Sequence, residues 1–161
     1  MSQLMRRVAK KGFTLIELVI TIAIAALLAV VAAPHMAEFL TNSRLREGAN
    51  SLLGEALFAQ SEAIKRNGTV TITLAAGTVQ VVDNTGVAPV VLRTAALNPN
   101  LVADDFAVNF GSAGMPTPFG TSAASDITYS GSTCSTEVRC PGLRIDAGGG
   151  VRICPNKLSC P

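Results

Sequence analysis

The sequence predicts an α+β fold, with one long N-terminal helix laid on a small antiparallel β-sheet. Three observations predict it. From Phe13 to Ala33 the clearly polar side chains are Thr14, Glu17 and Thr21, and about 20 apolar residues suffice to span a bilayer core. Apolar residues then recur at three- and four-residue spacing as far as Ile64, the period of a helix with one buried face. From Thr69 the pattern switches to Thr-Val-Thr-Ile-Thr-Leu, the alternation of a half-buried strand.

Taken in order, residues 1–12 form a leader that carries Arg6, Arg7, Lys10 and Lys11 and no acid, so this end is expected to stay cytoplasmic. Residues 13–34 are the membrane segment. A secretory signal shares the charged-then-apolar order but needs a small-residue cleavage site after the apolar run. Here Ala32-Ala33 is followed by Pro34, which disfavours removal at that point. Pro34 is expected to kink the helix or melt it locally. Residues 35–68 continue as an amphipathic helix whose apolar positions are Met36, Phe39, Leu40, Ala49, Leu52, Leu53, Ala56, Leu57, Ala63 and Ile64. Asn67-Gly68 ends it, because both residues tolerate the left-handed conformation of a helix C-terminus. Residues 69–161 form a β-rich head. Its expected strands are Thr69–Leu74, Val79–Asp83, an edge strand Val87–Leu92 containing Pro89, Phe106–Phe110, Ile127–Tyr129, Leu143–Ile145 and Val151–Ile153. The stretch from Gly111 to Asp126, rich in Gly, Pro, Ser and Thr, is expected to be a long loop.

Composition narrows the function. With 161 residues there is room for one helix and one modest core. Tryptophan is absent and aromatics make up 4%, which disfavours a site that stacks sugars or bases. The net charge of +2 is owed to the leader; without it the chain is acidic by two charges. A polyanion-binding surface would therefore be local, in the C-terminal stretch with Arg139, Arg144, Arg152 and Lys157. Enzymatic chemistry finds no support. The sole histidine, His35, sits at the end of the apolar segment, and no Ser/His/Asp or Cys/His set can be assembled without it. Asp104-Asp105 reads as a solvated loop. No cofactor or metal signature is present.

Glu17 needs its own explanation. A carboxylate in a spanning helix costs about 2.5–3.5 kcal/mol on insertion scales, and such residues are functional by default. Cleavage between Gly12 and Phe13 would create an ammonium group one helical turn before it. The Glu17 of one subunit could then neutralise the terminus of a neighbour and set register, as buried polar groups do elsewhere. On these residues, Lys11-Gly12-Phe13-Thr14-Leu15-Ile16-Glu17 resembles the class III signal of type IV pilins and type II secretion pseudopilins. The resemblance implies a pilin-like fold and cutting after Gly12 by a prepilin peptidase. It also implies methylation of the Phe13 amine, filament alignment by Glu17, and a helix-breaking role for Pro34. It implies further an inner-membrane precursor with a cytoplasmic N-terminus, and later a periplasmic or extracellular place in a filament of pilin or pseudopilin subunits.

The four cysteines, Cys134, Cys140, Cys154 and Cys160, form two C-x5-C pairs. Zinc sites usually have C-x2-4-C spacing, and a head outside the cytoplasm favours disulfides. Local bonds Cys134–Cys140 and Cys154–Cys160 are favoured among the three pairings that four cysteines allow. Each would stabilise by roughly 2–2.5 kcal/mol on the loop-entropy model. The tail Gly148-Gly149-Gly150-Val151-Arg152 admits two readings, a hairpin turn and a phosphate-binding loop. Long helix, small sheet and closing Gly-x-Arg-x hairpin together resemble the GspH/FimT/FimU group of minor pilins and pseudopilins. The resemblance implies a minor pilin that primes or caps a type IV pilus. Its alternatives are a pseudopilin at the tip of a secretion pseudopilus and a DNA-capturing minor pilin that uses Arg144, Arg152 and Lys157. A tail with one Arg at the motif position would bind DNA weakly and with strong salt dependence.

Overall fold

The computed structural model describes residues 12–160; the leader cations Arg6, Arg7, Lys10 and Lys11 lie outside them. The chain forms two compact units that divide between Ala37 and Glu38. Helix α1 spans Leu15–Arg66. It runs unbroken through Pro34, so the expected local melting does not occur. Proline removes one backbone donor, and its neighbours Ala32, Ala33 and Ala37 are the strongest helix formers. The stop is as sharp as its residues imply. Asn67 takes φ 50°, its N–H donates to Ile64 O at 3.1 Å, and Gly68 N–H donates to Ala63 O at 3.1 Å. That pair of bonds closes a Schellman cap.

In the unit from Glu38 onward, α1 buries Leu45, Gly48, Ala49, Leu52, Ala56, Ala59, Glu62 and Ala63. The face is narrower and rotated relative to the expected one. Leu40, Leu57 and Ile64 are about half exposed and Phe39 about two-thirds; Met36, in the other unit, is exposed too. Alanine and glycine fill most of the contact stripe, and small side chains let helix and sheet approach closely.

Among the described residues nine strands follow, in two antiparallel sheets rather than one. The first sheet has the order β3-β2-β1-β5-β6 and the second β4-β7-β8-β9. The strands are β1 Val70–Ala75, β2 Thr78–Asp83, β3 Val90–Ala96, β4 Leu101–Ala103, β5 Phe106–Phe110, β6 Pro116–Thr117, β7 Ala123–Tyr129, β8 Gly142–Ile145 and β9 Val151–Cys154. One core cluster joins the helix stripe to Val70, Ile72, Leu74, Val79, Val81 and Phe110 of the first sheet. Leu101, Ile127, Leu143 and Ile145 of the second belong to the same cluster.

Two expectations are corrected. β3 lies at the edge, but it starts after Pro89 rather than at Val87, because proline cannot donate to the ladder. A register shift at Val81/Val82 accommodates an extra β3 residue. The expected loop from Gly111 to Asp126 holds β6 and the first half of β7. Ala-Ala-Ser-Asp carries little strand propensity, but tertiary partners meet its side chains. Buried Ser125 donates through Oγ to Asp104 O at 2.6 Å, and Asp126 pairs with Arg144.

At the end of α1 an ion network ties helix to sheet. Glu62, 8% exposed, receives Arg66 Nε at 2.7 Å and Lys65 Nζ at 3.2 Å. Arg66 Nη1 reaches Asp83 Oδ2 at 2.9 Å. Hydrogen bonds from Arg66 and then Lys65 hold the Glu62 carboxyl below the ordinary value of 4.5. Bonds from Thr85 and then the charge of Arg66 hold Asp83 below 3.8. Carboxyls depressed in the folded state contribute stability above their unfolded pKa and lose it as pH falls through the folded one. The urea midpoint of the wild type should therefore exceed that of Glu62→Gln at pH 7, and the gap should shrink steadily below about pH 4.5. A gap independent of pH would contradict the network's role.

Candidate functional site

The N-terminal segment is exposed along its length. Gly12 meets no neighbouring atom within 4 Å of where a Cβ would stand, and Phe13 is 86% exposed. The backbone just outside the helix is therefore exposed. Thr14 and Glu17 form a capping box. Glu17 N–H donates to Thr14 Oγ1, while the Thr14 amide and hydroxyl donate to Glu17 Oε2, all at 3.3 Å. The Thr-x-x-Glu spacing is legible in the sequence, yet sequence reasoning missed it, because the acid was weighed for its charge alone. Thr21 Oγ1 donates to Leu18 O at 2.8 Å, which removes its cost in an apolar medium. An 18-residue window of α1 has mean hydropathy 2.8, and none of it is buried.

At the other end, Cys134 bonds Cys140 and Cys154 bonds Cys160, with Cα–Cα separations of 5.6 and 6.0 Å. Lys157 N–H donates to Cys140 O at 2.7 Å and Asn156 Nδ2 donates to Ser135 O at 3.1 Å, so the two loops are laced together. The helix holds both ends of the second sheet through side-chain amides. Asn42 Nδ2 donates to Glu137 O at 2.7 Å and its Oδ1 accepts from Arg139 N–H at 2.9 Å. Gln60 Nε2 donates to Gly114 O at 2.7 Å and to Gly149 O at 2.8 Å. Sequence reasoning missed both amides, since nothing in a helical period distinguishes a latch from a solvated polar residue.

The glycine run is a hairpin turn packed against that latch. Asp146 N–H donates to Gly150 O and Gly149 N–H to Asp146 O. Gly149 sits at φ +86°, and a Cβ there would come within 2.8 Å of Gly114 O. Close approach and positive φ explain the glycine without a phosphate. Gly149→Ala should accordingly destabilise the head by about 1–3 kcal/mol in urea unfolding. Gly148→Ala, where nothing lies within 4 Å, should stay within about 0.5 kcal/mol.

The structure brings Arg144 and Arg152 together as cross-strand partners but uses them differently. Arg144, 14% exposed, pairs through Nη2 with Asp126 Oδ1 at 2.7 Å and donates through Nη1 to Leu143 O. A guanidinium so enclosed needs its counter-ion and is not free to meet a phosphate. Arg152, 53% exposed, touches Asp146 at 3.3 Å. Lys157 is half-buried beside the second disulfide loop.

Comparison with known proteins follows the same two segments. Residues 7–33 match the model of the prokaryotic N-terminal methylation motif. Residues 48–149 match the family model described as type II transport protein GspH. No curated protein matches the sequence. Two crystal structures of the type IV minor pilin FimU from Pseudomonas aeruginosa strain PAO1 are similar in fold at 19% identity. One, in space group P21, has TM-score 0.59 and covers 73% of this chain and 92% of FimU. The other, in space group P65, has TM-score 0.55 and covers 68% and 92%. The methylation motif and the apolar helix mark the N-terminal segment as a membrane anchor before assembly. With the GspH model spanning more than half of its length and the FimU fold beneath it, the chain belongs to the GspH family of pilin-like proteins.

Proposed function

We propose that the chain is a minor pilin that primes or caps a type IV pilus. A prepilin peptidase cuts it between Gly12 and Phe13 and methylates the new amine. Residues 13–34 hold it in the inner membrane with the N-terminus cytoplasmic, then pack with other pilin subunits in the filament. Glu17 neutralises the amine of a neighbour and so sets register. The head, outside the cytoplasm, contacts further subunits and takes no part in catalysis. The observation that carries this reading is the pairing, on one chain, of a methylation motif over 7–33 with a GspH head over 48–149. The fold likeness to FimU favours a pilus. The name of the family model favours the second reading, a pseudopilin of type II secretion.

Surface pili are counted in cells deleted for the gene, with protein secretion and DNA uptake scored on the same cells. Loss of pili is the expected result. Normal pili with failed secretion would replace it by the pseudopilin. Normal pili with failed uptake would move the function to the tail, where Arg152 and Lys157 are the cations not enclosed like Arg144. If all three are normal, the proposal fails.

A further inference from the structure

A groove of about 540 Å³ opens between the start of the head's helix and the first disulfide loop. Phe39 and Ile153 line its apolar part, and Arg46 and Arg139 line it from the helix and the loop respectively. Among the described residues the other head arginines are engaged. Arg66, Arg93, Arg144 and Arg152 pair with acids, and Arg44 donates to Tyr129. Neither the Arg46 nor the Arg139 guanidinium has a hydrogen-bond or ion-pair partner among the described residues, and both residues are exposed. Glu137, the carboxylate in the lining, is occupied by the hydroxyls of Ser135 at 2.9 Å and Thr136 at 2.7 Å. The Asn42 latch holds Glu137 and Arg139 in place through their backbone, so the groove is built before a partner arrives. It therefore combines an apolar lining with two exposed guanidiniums that have no partner among the described residues, one from the helix and one from the loop, and guanidiniums recognise carboxylates.

We infer that this groove receives an acidic side chain with an apolar neighbour, presented by the head of an adjoining pilin-type subunit. The inference rests on the pilin reading above, and the groove begins in sequence just beyond the segment assigned to filament packing. A nucleic acid fits less well, since two cations flanking a carboxylate offer few phosphate contacts.

The test uses the full-length chain in the cells that make it, with a photo-crosslinking amino acid at Asn50, which also lines the groove. The cross-linked peptide is sequenced. It should come from another chain bearing an N-terminal methylation motif and contain Asp or Glu beside an apolar residue. Arg46→Gln with Arg139→Gln should lower the yield at least about tenfold, while the chain remains inserted and its head protease-resistant. Changing the partner's acid to Arg together with Arg139→Asp should restore it. In isolated membranes the wild-type yield should also fall as salt is raised, because exposed charge pairs are screened; this reading stands even if the double variant loses resistance. A peptide without an acid, a nucleic-acid adduct, or a yield indifferent to both salt and charge overturns the inference. A second crosslinker at Ile24 separates the two readings. If Ile24 captures pilin-type chains and Asn50 does not, the groove inference falls alone; if neither does, the pilin reading falls with it.

Discussion

Glu17→Ala is expected to leave the chain in the membrane fraction and lower its recovery in sheared filaments at least about tenfold. Removing a carboxylate from the apolar segment relieves a cost of about 2.5–3.5 kcal/mol, so insertion is not impaired. On the proposed function, assembly loses the group that neutralises a neighbour's terminal amine. An unpaired charge in an apolar bundle costs about 3–5 kcal/mol, and each step of about 1.4 kcal/mol is a factor of about ten. The capping box offers a competing account, because Glu17 also bonds the Thr14 amide and hydroxyl. Glu17→Gln separates the two. Glutamine serves equally well at the third helical position of a capping box but carries no charge. Chains with the glutamine substitution should be excluded as strongly as the alanine variant. Their incorporation at wild-type level would reduce Glu17 to a cap and remove the register role. Immunoblots of sheared and membrane fractions from the same cells supply the measurement.

Phe110→Ala is the substitution expected to harm the head most. Phe110 is fully buried and the largest such side chain. It sits at the end of β5, opposite Val70 of β1 and Pro116 of β6, and belongs to the cluster shared with the helix stripe. Truncating a buried phenylalanine costs about 3–5 kcal/mol out of a total stability of about 5–15 kcal/mol. With a urea slope of about 2 kcal/mol/M, the unfolding midpoint should drop by roughly 1.5–2.5 M. Pulse proteolysis of the detergent-solubilised chain in urea reads it. Phe119→Ala removes the same atoms from a side chain 82% exposed and should shift stability by less than about 0.5 kcal/mol. Equal shifts for the two phenylalanines would mean that the head's core lies elsewhere.

Most of the architecture was legible because it is written in local periods. The apolar run, the helical spacing after Pro34 and the Asn67-Gly68 stop each depend on residues within one or two turns of each other. The same holds for the strong strands: β1, β2 and β5 carry β-branched and aromatic residues in alternation. Where propensity was weak, distant partners decided. Ala123 to Asp126 becomes strand because Ser125 bonds Asp104 and Asp126 pairs with Arg144, and β4 exists because β7 is there to pair with it.

For the functional segments the division is similar. The sequence alone determined the candidate cleavage dipeptide, the acid at position 17 and the apolar anchor segment that follows it, since these depend on order and composition. Tertiary structure decided which cations remain available. It enclosed Arg144 against Asp126, left Arg46 and Arg139 on one groove without an ion-pair partner among the described residues, and turned the glycine run into a hydrogen-bonded contact for Gln60. A charge's availability depends on which counter-charge the fold places within about 4 Å of it, and neither sequence spacing nor net charge carries that distance.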